Sequence, residues 1–508
     1  MRAVSVRRCS YRTGITILSR QSRSRKCSPW CCIRITTTPS TAPRMKTMPF
    51  VPSEDSARLT IRLSEWDWTA PSRDPRLKDM SLAGDTAWRR LADGLRGRID
   101  IYERYDGLTI ETSSFVGRVD VGPLRIVVQP KLPAMPLTRL LRYAYGLRDL
   151  TSTAETRSPT DERGMHDLLI ALLAGEVEEL LHRGLPRHYV ARDRRLDSPR
   201  GQILIDQIIR RGGVLEPMLP CRQYERRSDW SLNQVLRAGL DHAARLTEDR
   251  ELRRHAHKLS AMFGDVREMP RLRTDDIDLV ARNLTRLTTA CRPALTLIRL
   301  LHDMQGVELE TDIGASRTPG FLFDMNLFFQ RLLSRFLREN LVDARIVDEH
   351  SIQGMFAFAS GSNIKQRRAP SPRPDYALFH GRRLNRFLDA KYRDLWRKSL
   401  PVEWLYQLTI YALASPVEVS VLLYASMSES ALDEEVEIRQ PVSWSNRAPA
   451  SVILRPVPLG MLAGLVGSDA TTEIVGRRQQ LAQRLIANRT NGTNLRDTAT
   501  TGFGVPST

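Results

Sequence analysis

From Ala57 to Gln129 the apolar positions come in short runs between turn residues. Leu59–Leu63, Arg98–Tyr102, Leu108–Glu111 and Leu124–Val128 alternate or cluster β-branched residues, the pattern of strands. One helix, Thr86 to Leu95, interrupts them. A second follows the prolines at 130, 133 and 136, running from Leu137 to Tyr145 and stopping at Gly146. Beyond residue 151 the period changes to that of helices: His166–His182 ending at Gly184, Ser231–Leu246, and Asp275–Met304. Between them, Tyr189–Ile205 carries Arg192, Arg194, Arg195 and Arg200 ahead of Gly201. The last third mixes both periods. A helix over Phe323–Leu341 precedes strands at Ala344–Val347, Met355–Ala359, Tyr376–Phe379 and Arg386–Ala390. A helix over Val402–Leu413 and an apolar strand over Val417–Tyr424 follow, and the last helix covers Glu473–Ala487.

These patterns predict an α+β multidomain chain. A basic, disordered extension occupies 1–48. A β-rich N-terminal domain follows over 49–150, then a helical middle over 151–312. An α/β domain with a mixed sheet spans 313–470, and a C-terminal helix and disordered tail fill 471–508. The richest apolar run, Leu168–Gly175, stops at Glu176, well short of the roughly 18 residues a membrane helix needs. No membrane span is expected.

Charge changes the picture at the N-terminus. The chain carries a net +19, but residues 1–44 hold ten of its Lys and Arg and no acid. That stretch reads as an extension, or as sequence ahead of a start at Met45 or Met48; a transit peptide is the alternative. The body keeps a smaller positive excess, compatible with a polyanionic partner. Six cysteines, four of them in the extension, make no disulfide framework in 508 residues, so a reducing cytoplasm is the expected location.

The chemistry concentrates in Arg373-Pro-Asp-Tyr-Ala-Leu-Phe379, a turn at His380-Gly381, and Phe387-Leu-Asp-Ala-Lys391. Asp389 and Lys391 are two apart on a strand, so they leave the same face. A hairpin can bring Asp375 back to that face. Two carboxylates and an ammonium suit phosphodiester hydrolysis: Asp375 and Asp389 as ligands to Mg²⁺, Lys391 orienting water and offsetting negative charge. The motif alone, P-D…D-x-K, is short enough to occur by chance. Gln407 and Tyr411, four apart on the following helix, face the same way. The order hairpin, D-x-K strand, Q-x-x-x-Y helix, apolar strand is more specific than any one piece. Lys365, Arg367 and Arg368 precede the hairpin and could touch phosphates, or could be a solvated loop. Lys131 reads as fixed by structure or partner contact, since no acids are visible near it.

With these residues quoted, the chain resembles McrC, the nuclease subunit of McrBC modified-cytosine restriction systems, within the PD-(D/E)XK nucleases. The matching pieces are Phe323–Phe329, Arg373-Pro-Asp375, Leu388-Asp-Ala-Lys-Tyr392 and Tyr406–Ala412 in the C-terminal part. Val116–Gly122, Val128-Gln-Pro-Lys-Leu132, Gly184–Tyr189, Arg200-Gly201, Cys221–Glu225 and Leu232-Asn233 match upstream. The resemblance implies a restriction-endonuclease-like C-terminal domain and cleavage of methylcytosine-containing double-stranded DNA. It also implies an McrB-like AAA+ partner that binds and hydrolyses GTP and is contacted by the N-terminal domain. The chain has no G-x-x-x-x-G-K-[ST] of its own. One departure matters. Gln330 stands where the family's helix usually carries Glu, and Glu349 is a possible substitute. That departure keeps open a non-catalytic adaptor of an AAA+ motor with a decayed nuclease site. A stand-alone repair nuclease is a further alternative.

Overall fold

The computed structural model describes residues 58–82, 84–148, 164–213, 217–304, 320–439 and 450–488. The expected extension over 1–48 and the tail beyond 488 lie outside the described residues. The N-terminal strands form where the alternation placed them: β1 (Leu59–Ser64), β3 (Ile99–Arg104), β4 (Gly107–Thr112) and β6 (Leu124–Gln129), with a two-residue β2 (Trp68–Thr69) and β5 (Phe115–Val121) completing the set. Helix α1 (Thr86–Gly94) is capped by Asp85, and α2 (Ala134–Tyr145) ends at Gly146 in the left-handed conformation.

The middle region is helical with one exception. Helices α3 (Met165–His182), α5 (Ser231–Leu246) and α6 (Arg250–Ala261) pack their apolar faces together. A three-stranded sheet interrupts them along the chain between α3 and α5, built of β7 (His188–Leu196), β8 (Gln202–Ile203) and β9 (Leu219–Arg227), with a short α4 (Ile205–Arg210) between β8 and β9. A mainly helical middle was expected, with no strand placed in it. The arginine-rich strand β7 shows no apolar alternation because both its faces are largely exposed, so its pairing with β9 left no hydrophobic signal. The single helix expected over Asp275–Met304 is two, α7 (Thr274–Arg282) and α8 (Arg292–Asp303). In the gap the Thr288 hydroxyl accepts the Thr285 N–H and donates to the Thr285 carbonyl, and Pro293 opens α8.

The C-terminal part starts with β10 (Gly320–Asp324) and α9 (Met325–Asn340), whose first turn Asp324 caps through the N–H groups of Asn326 and Leu327. Then come β11 (Arg345–Asp348), β12 (Tyr376–His380), β13 (Arg383–Lys391), α10 (Val402–Ala414), β14 (Val419–Ser426), β15 (Glu434–Ile438), β16 (Ala450–Pro458), α11 (Leu459–Val466) and α12 (Thr472–Ile486). The strands form one six-stranded sheet in the order β11-β12-β13-β14-β16-β15. The β13–β14 and β14–β16 pairs are parallel and the rest antiparallel, so the mixed sheet expected here is present. The segment Met355–Ala359, expected as a strand, forms bends: it follows Gly354 at φ 77°, Phe356 and Phe358 are exposed, and no strand pairs with it.

Alternation along β13 sorts its side chains onto two cores. Leu388, Ala390 and Tyr392 join α9 and the helices in the larger core, whereas Phe387 faces the core that includes Leu408 and Tyr411 of α10. Arg455 of β16 is fully buried; it grips Asp433 at 2.6 and 2.8 Å and caps the end of α12 through the Leu485 and Ala487 carbonyls.

Strand β10 leaves this part of the chain to pair with β5, closing a four-stranded sheet in the order β1-β6-β5-β10. The described residues thus belong to one compact unit, Ala57–Thr508. Gly117 of β5 sits at φ 139°, and a Cβ there would lie 1.9 Å from the Phe321 carbonyl oxygen. Only glycine lets β10 approach. We expect Gly117→Ala to destabilise the chain by about 2 kcal/mol or more, seen as a lower urea midpoint. An unchanged midpoint would mean that the β5–β10 junction carries no stability.

Candidate active site

The hairpin β12–β13 brings the three charged residues together as the spacing required. Tyr376 pairs with Leu388 and Ala377 with Phe387, so the register continued by one step sets Asp375 opposite Asp389. Asp375 is anchored by its own carboxylate, whose Oδ2 accepts the Ala390 N–H at 2.7 Å. Asp389 is 1% exposed, and its Oδ2 meets Lys391 Nζ at 2.7 Å. Its Oδ1 is buried and accepts no hydrogen bond.

The electrostatics follow from the burial. Burial, reinforced by the Asp389 charge, pushes Asp375 up to about 7, against the pull of Lys391, the Ala390 N–H and the Gln330 side chain. Burial also raises Asp389, with the Lys391 ammonium and a hydrogen bond from the Asp375 carboxyl opposing it. For Lys391 burial disfavours the ammonium, but Asp389 and Asp375 outweigh it and hold the lysine above its ordinary value. The site is therefore a cation facing two acids that cannot both ionise cheaply.

Helix α10 supports the entry strand. Gln407 Nε2 donates to the Tyr411 hydroxyl at 2.7 Å, and that hydroxyl donates to the Arg373 carbonyl at 3.0 Å, two residues before Asp375. The pair expected to share a helix face does so. It touches the main chain leading to Asp375 and so positions that residue. Gln330 arrives from α9, its carbonyl accepting the Tyr376 hydroxyl at 2.6 Å and its side chain lying against Asp375. Glu349 lines the same cleft of about 580 Å³ with Gln330 and Asp375. Its N–H bonds the Asp375 carbonyl at 3.0 Å, with Glu349 itself at φ 49°. Among the described residues no three His, Cys, Asp or Glu side chains group as a set that could hold a metal ion. Lys365, Arg367 and Arg368 lie exposed on the loop ahead of β12.

Sequence reasoning missed the aromatic and basic surroundings of Lys391. Its ammonium lies 5.8 Å from the Trp404 ring centroid, and Trp404 meets Trp66 edge to face at 6.5 Å. Trp66 precedes β2 and reaches across to donate its indole N–H to the Tyr392 carbonyl at 2.8 Å. Lys131, read as lacking acids nearby, has Glu65 beside it: Glu65 accepts the Lys131 N–H at 3.2 Å. The signal was hidden because β1 and β6 pair in parallel with partners 65 positions apart, a contact no local pattern encodes.

Fold and site together define an α/β protein whose mixed sheet displays two acids and a lysine at one end of its central hairpin. The chain belongs to the McrBC 5-methylcytosine restriction system component family, whose model matches residues 110–425, more than half of its length. Its fold is shared with a chain of a Thermococcus gammatolerans assembly of McrB AAA+ hexamers with bound McrC. The identity is 21%, the TM-score 0.52, and the match covers 84% of this chain and 100% of that one. A chain of the Thermococcus gammatolerans McrBC complex matches 56% of this chain and 88% of its own length at 22% identity and a TM-score of 0.40. No curated protein matches. Among the described residues, no helix is long and apolar enough to cross a membrane.

A raised acid makes a signed prediction. The folded chain holds the Asp375 proton up to about 7, whereas the ordinary value is 3.8. Native protein therefore binds more protons than unfolded chain in that window, and its stability falls as pH climbs through it. Asp375→Asn has no such proton to lose. In EDTA, the stability of the variant relative to the parent should grow from pH 5 to pH 7.5, read from urea midpoints. A difference that stays level across that range would show that Asp375 is not held protonated.

Proposed function

We propose that this chain is the DNA-cleaving subunit of a GTP-dependent restriction complex that cuts methylcytosine-containing DNA. One observation carries the reading: Asp375, Asp389 and Lys391 meet on a buried hairpin that otherwise has no structural need for three charges. In a restriction-endonuclease-like domain of the PD-(D/E)XK kind, these positions form the hydrolytic set.

The residues fit a divalent cation. The unpaired Asp389 Oδ1 is a ligand atom in waiting, and a cation beside two crowded carboxyls would remove the repulsion that holds Asp375 near 7. Asp375 and Asp389 would hold Mg²⁺, with the Gln330 amide oxygen as a neutral neighbour. Mg²⁺, when bound, supplies charge stabilisation at the phosphate and acidifies water. Lys391 then places a fixed positive charge where negative charge develops and can donate to the attacking water. Gln407 and Tyr411 hold the chain leading to Asp375 so that its carboxylate stays in register.

Family membership and the shared fold support a motor partner. In the Thermococcus gammatolerans assembly McrC is bound to McrB AAA+ hexamers. By that likeness this chain works with an McrB-like AAA+ GTPase, which binds the GTP, and the N-terminal region makes the contact. A cytoplasmic location agrees with such a complex acting on DNA.

A second reading has its own observation. Gln330 leaves two acids where three would be expected, which suits an adaptor that activates the motor without cutting. Both readings meet in one assay. Asp389→Ala and Lys391→Ala should each lower cleavage of methylated duplex by the assembled complex at least ~100-fold, leaving partner GTPase stimulation intact. Gln330→Glu should preserve or raise cutting, since it adds charge at the metal. If the parent complex stimulates GTPase but never nicks DNA in Mg²⁺ or Mn²⁺, the adaptor reading holds; if Asp389→Ala cuts like the parent, this hairpin is not the active site. The chain alone should cut little, and strong Mg²⁺-dependent cutting without nucleotide would point to a stand-alone nuclease.

A further inference from the structure

Beyond Lys391 the strand runs directly into a second cavity of about 540 Å³ between the N-terminal sheet and the mixed sheet. Its basic lining is Lys131 from the loop after β6, with Arg393, Arg397 and Lys398 from the loop after β13. These charges crowd one another. Lys398 lies below its ordinary value because of burial and because Lys131 and Arg393 repel it, against the pull of Asp67. Arg393 is lowered by burial, and its Nε is buried with no hydrogen-bond partner.

The acids present do not offset this crowding. Asp394 on the rim lies 3.9 Å from Arg397 and accepts the Trp396 N–H. Glu65, 1% exposed, is pushed up to about 8 by burial, against the pull of Lys131, so it is largely neutral at pH 7. The cavity is also a built one. Trp66 holds φ 54°, a conformation a bulky side chain adopts only under constraint. Its carbonyl accepts Lys398 Nζ, and its ring sits under the Arg393 guanidinium at 5.1 Å. Arg393 also lies 5.7 Å from Trp404, the ring that Lys391 touches. One aromatic wall thus separates the cavity from the Asp375–Asp389–Lys391 cluster.

We propose that this cavity binds a backbone phosphate of the DNA strand adjacent to the one cleaved, with Lys131, Arg393, Arg397 and Lys398 as its cationic partners. The proposal rests on the nuclease reading for its choice of anion. A phosphodiester brings the charge that relieves the Lys131–Arg393–Lys398 repulsion. Held there, the backbone would be fixed on one side of the scissile bond, so these four are positioning residues.

The test measures binding without catalysis. Full-length chain is titrated onto a fluorescent methylated duplex in EDTA, by anisotropy, over a range of NaCl. Lys131→Gln and Lys398→Gln should each weaken binding several-fold and flatten the plot of log K against log salt by roughly one unit, the signature of one lost phosphate contact. Arg397→Gln does the same without touching the core, since its side chain is 72% exposed. Exposed Arg286, far along the chain between α7 and α8, serves as the control, and Arg286→Gln should leave the slope alone. Melting temperatures establish that each variant is folded. Parent-like slopes in all three pocket variants overturn the proposal, as does a parent chain that fails to bind duplex at low salt. So does a pocket variant that binds duplex normally but loses its AAA+ partner, because the surface would then be a protein contact. Reduced binding in these variants alongside a parent complex that never cuts would leave the phosphate site standing and remove the nuclease reading.

Discussion

Two carboxyls and an ammonium are packed into a space that water barely reaches, and the geometry of the C-terminal sheet is organised around that constraint. An acid as buried as Asp389 is tolerable only beside a counter-charge, and Lys391 at 2.7 Å supplies it. Asp375 then has no equal partner of its own and stays protonated until about pH 7. Breaking such a cluster costs more than making it contributes, because each survivor is left uncompensated in the interior. That is a poor way to build a stable hairpin. The hydrogen bond from the Ala390 N–H to Asp375 fixes the spacing, since it ties the first acid to the strand bearing the second.

The site was legible in the sequence because its geometry is local. A D-x-K spacing on a strand and a hairpin of ordinary length determine most of the placement of Asp375, Asp389 and Lys391, and a Q-x-x-x-Y spacing determines how Gln407 meets Tyr411. The helices and strands carrying them were legible for the same reason. What escaped was set by distant pairing. Strand β16 is buried along its whole length and β15 shields its edge, yet neither has a local signature that separates it from a buried helix or a loop. Strands β7 and β9 carry arginines and little apolar patterning, so their pairing is invisible to periodicity. Met355–Ala359 failed the other way: its apolar residues form a run, but no neighbouring strand offers them an edge.

The same divide explains the surroundings of Lys391. Trp66 and Trp404 are 338 positions apart, and Glu65 meets Lys131 only because β1 lies parallel to β6. Parallel pairing needs a long crossover, so its contacts join residues that share no local context. Single-residue reading saw Lys131 as a lone cation and had no reason to single out either tryptophan.

These long-range contacts also bear on how the two ends of the chain communicate. Strand β10 directly precedes α9, which carries Gln330 against Asp375, and β10 is hydrogen-bonded into the N-terminal sheet through β5. On the other side, Trp66 and Lys398 fasten the N-terminal region to the loop leaving Lys391. The acid site is thus gripped from both flanks by residues belonging to, or paired with, the N-terminal sheets. A displacement of those sheets would act on Gln330 through one route and on the segment after Lys391 through the other. The first route is paired main chain and the second runs through side-chain hydrogen bonds to main-chain carbonyls, and packed interiors shift between discrete arrangements more readily than they stretch. A partner that grips the N-terminal sheets therefore has a mechanical path to the spacing between the two acids and the lysine.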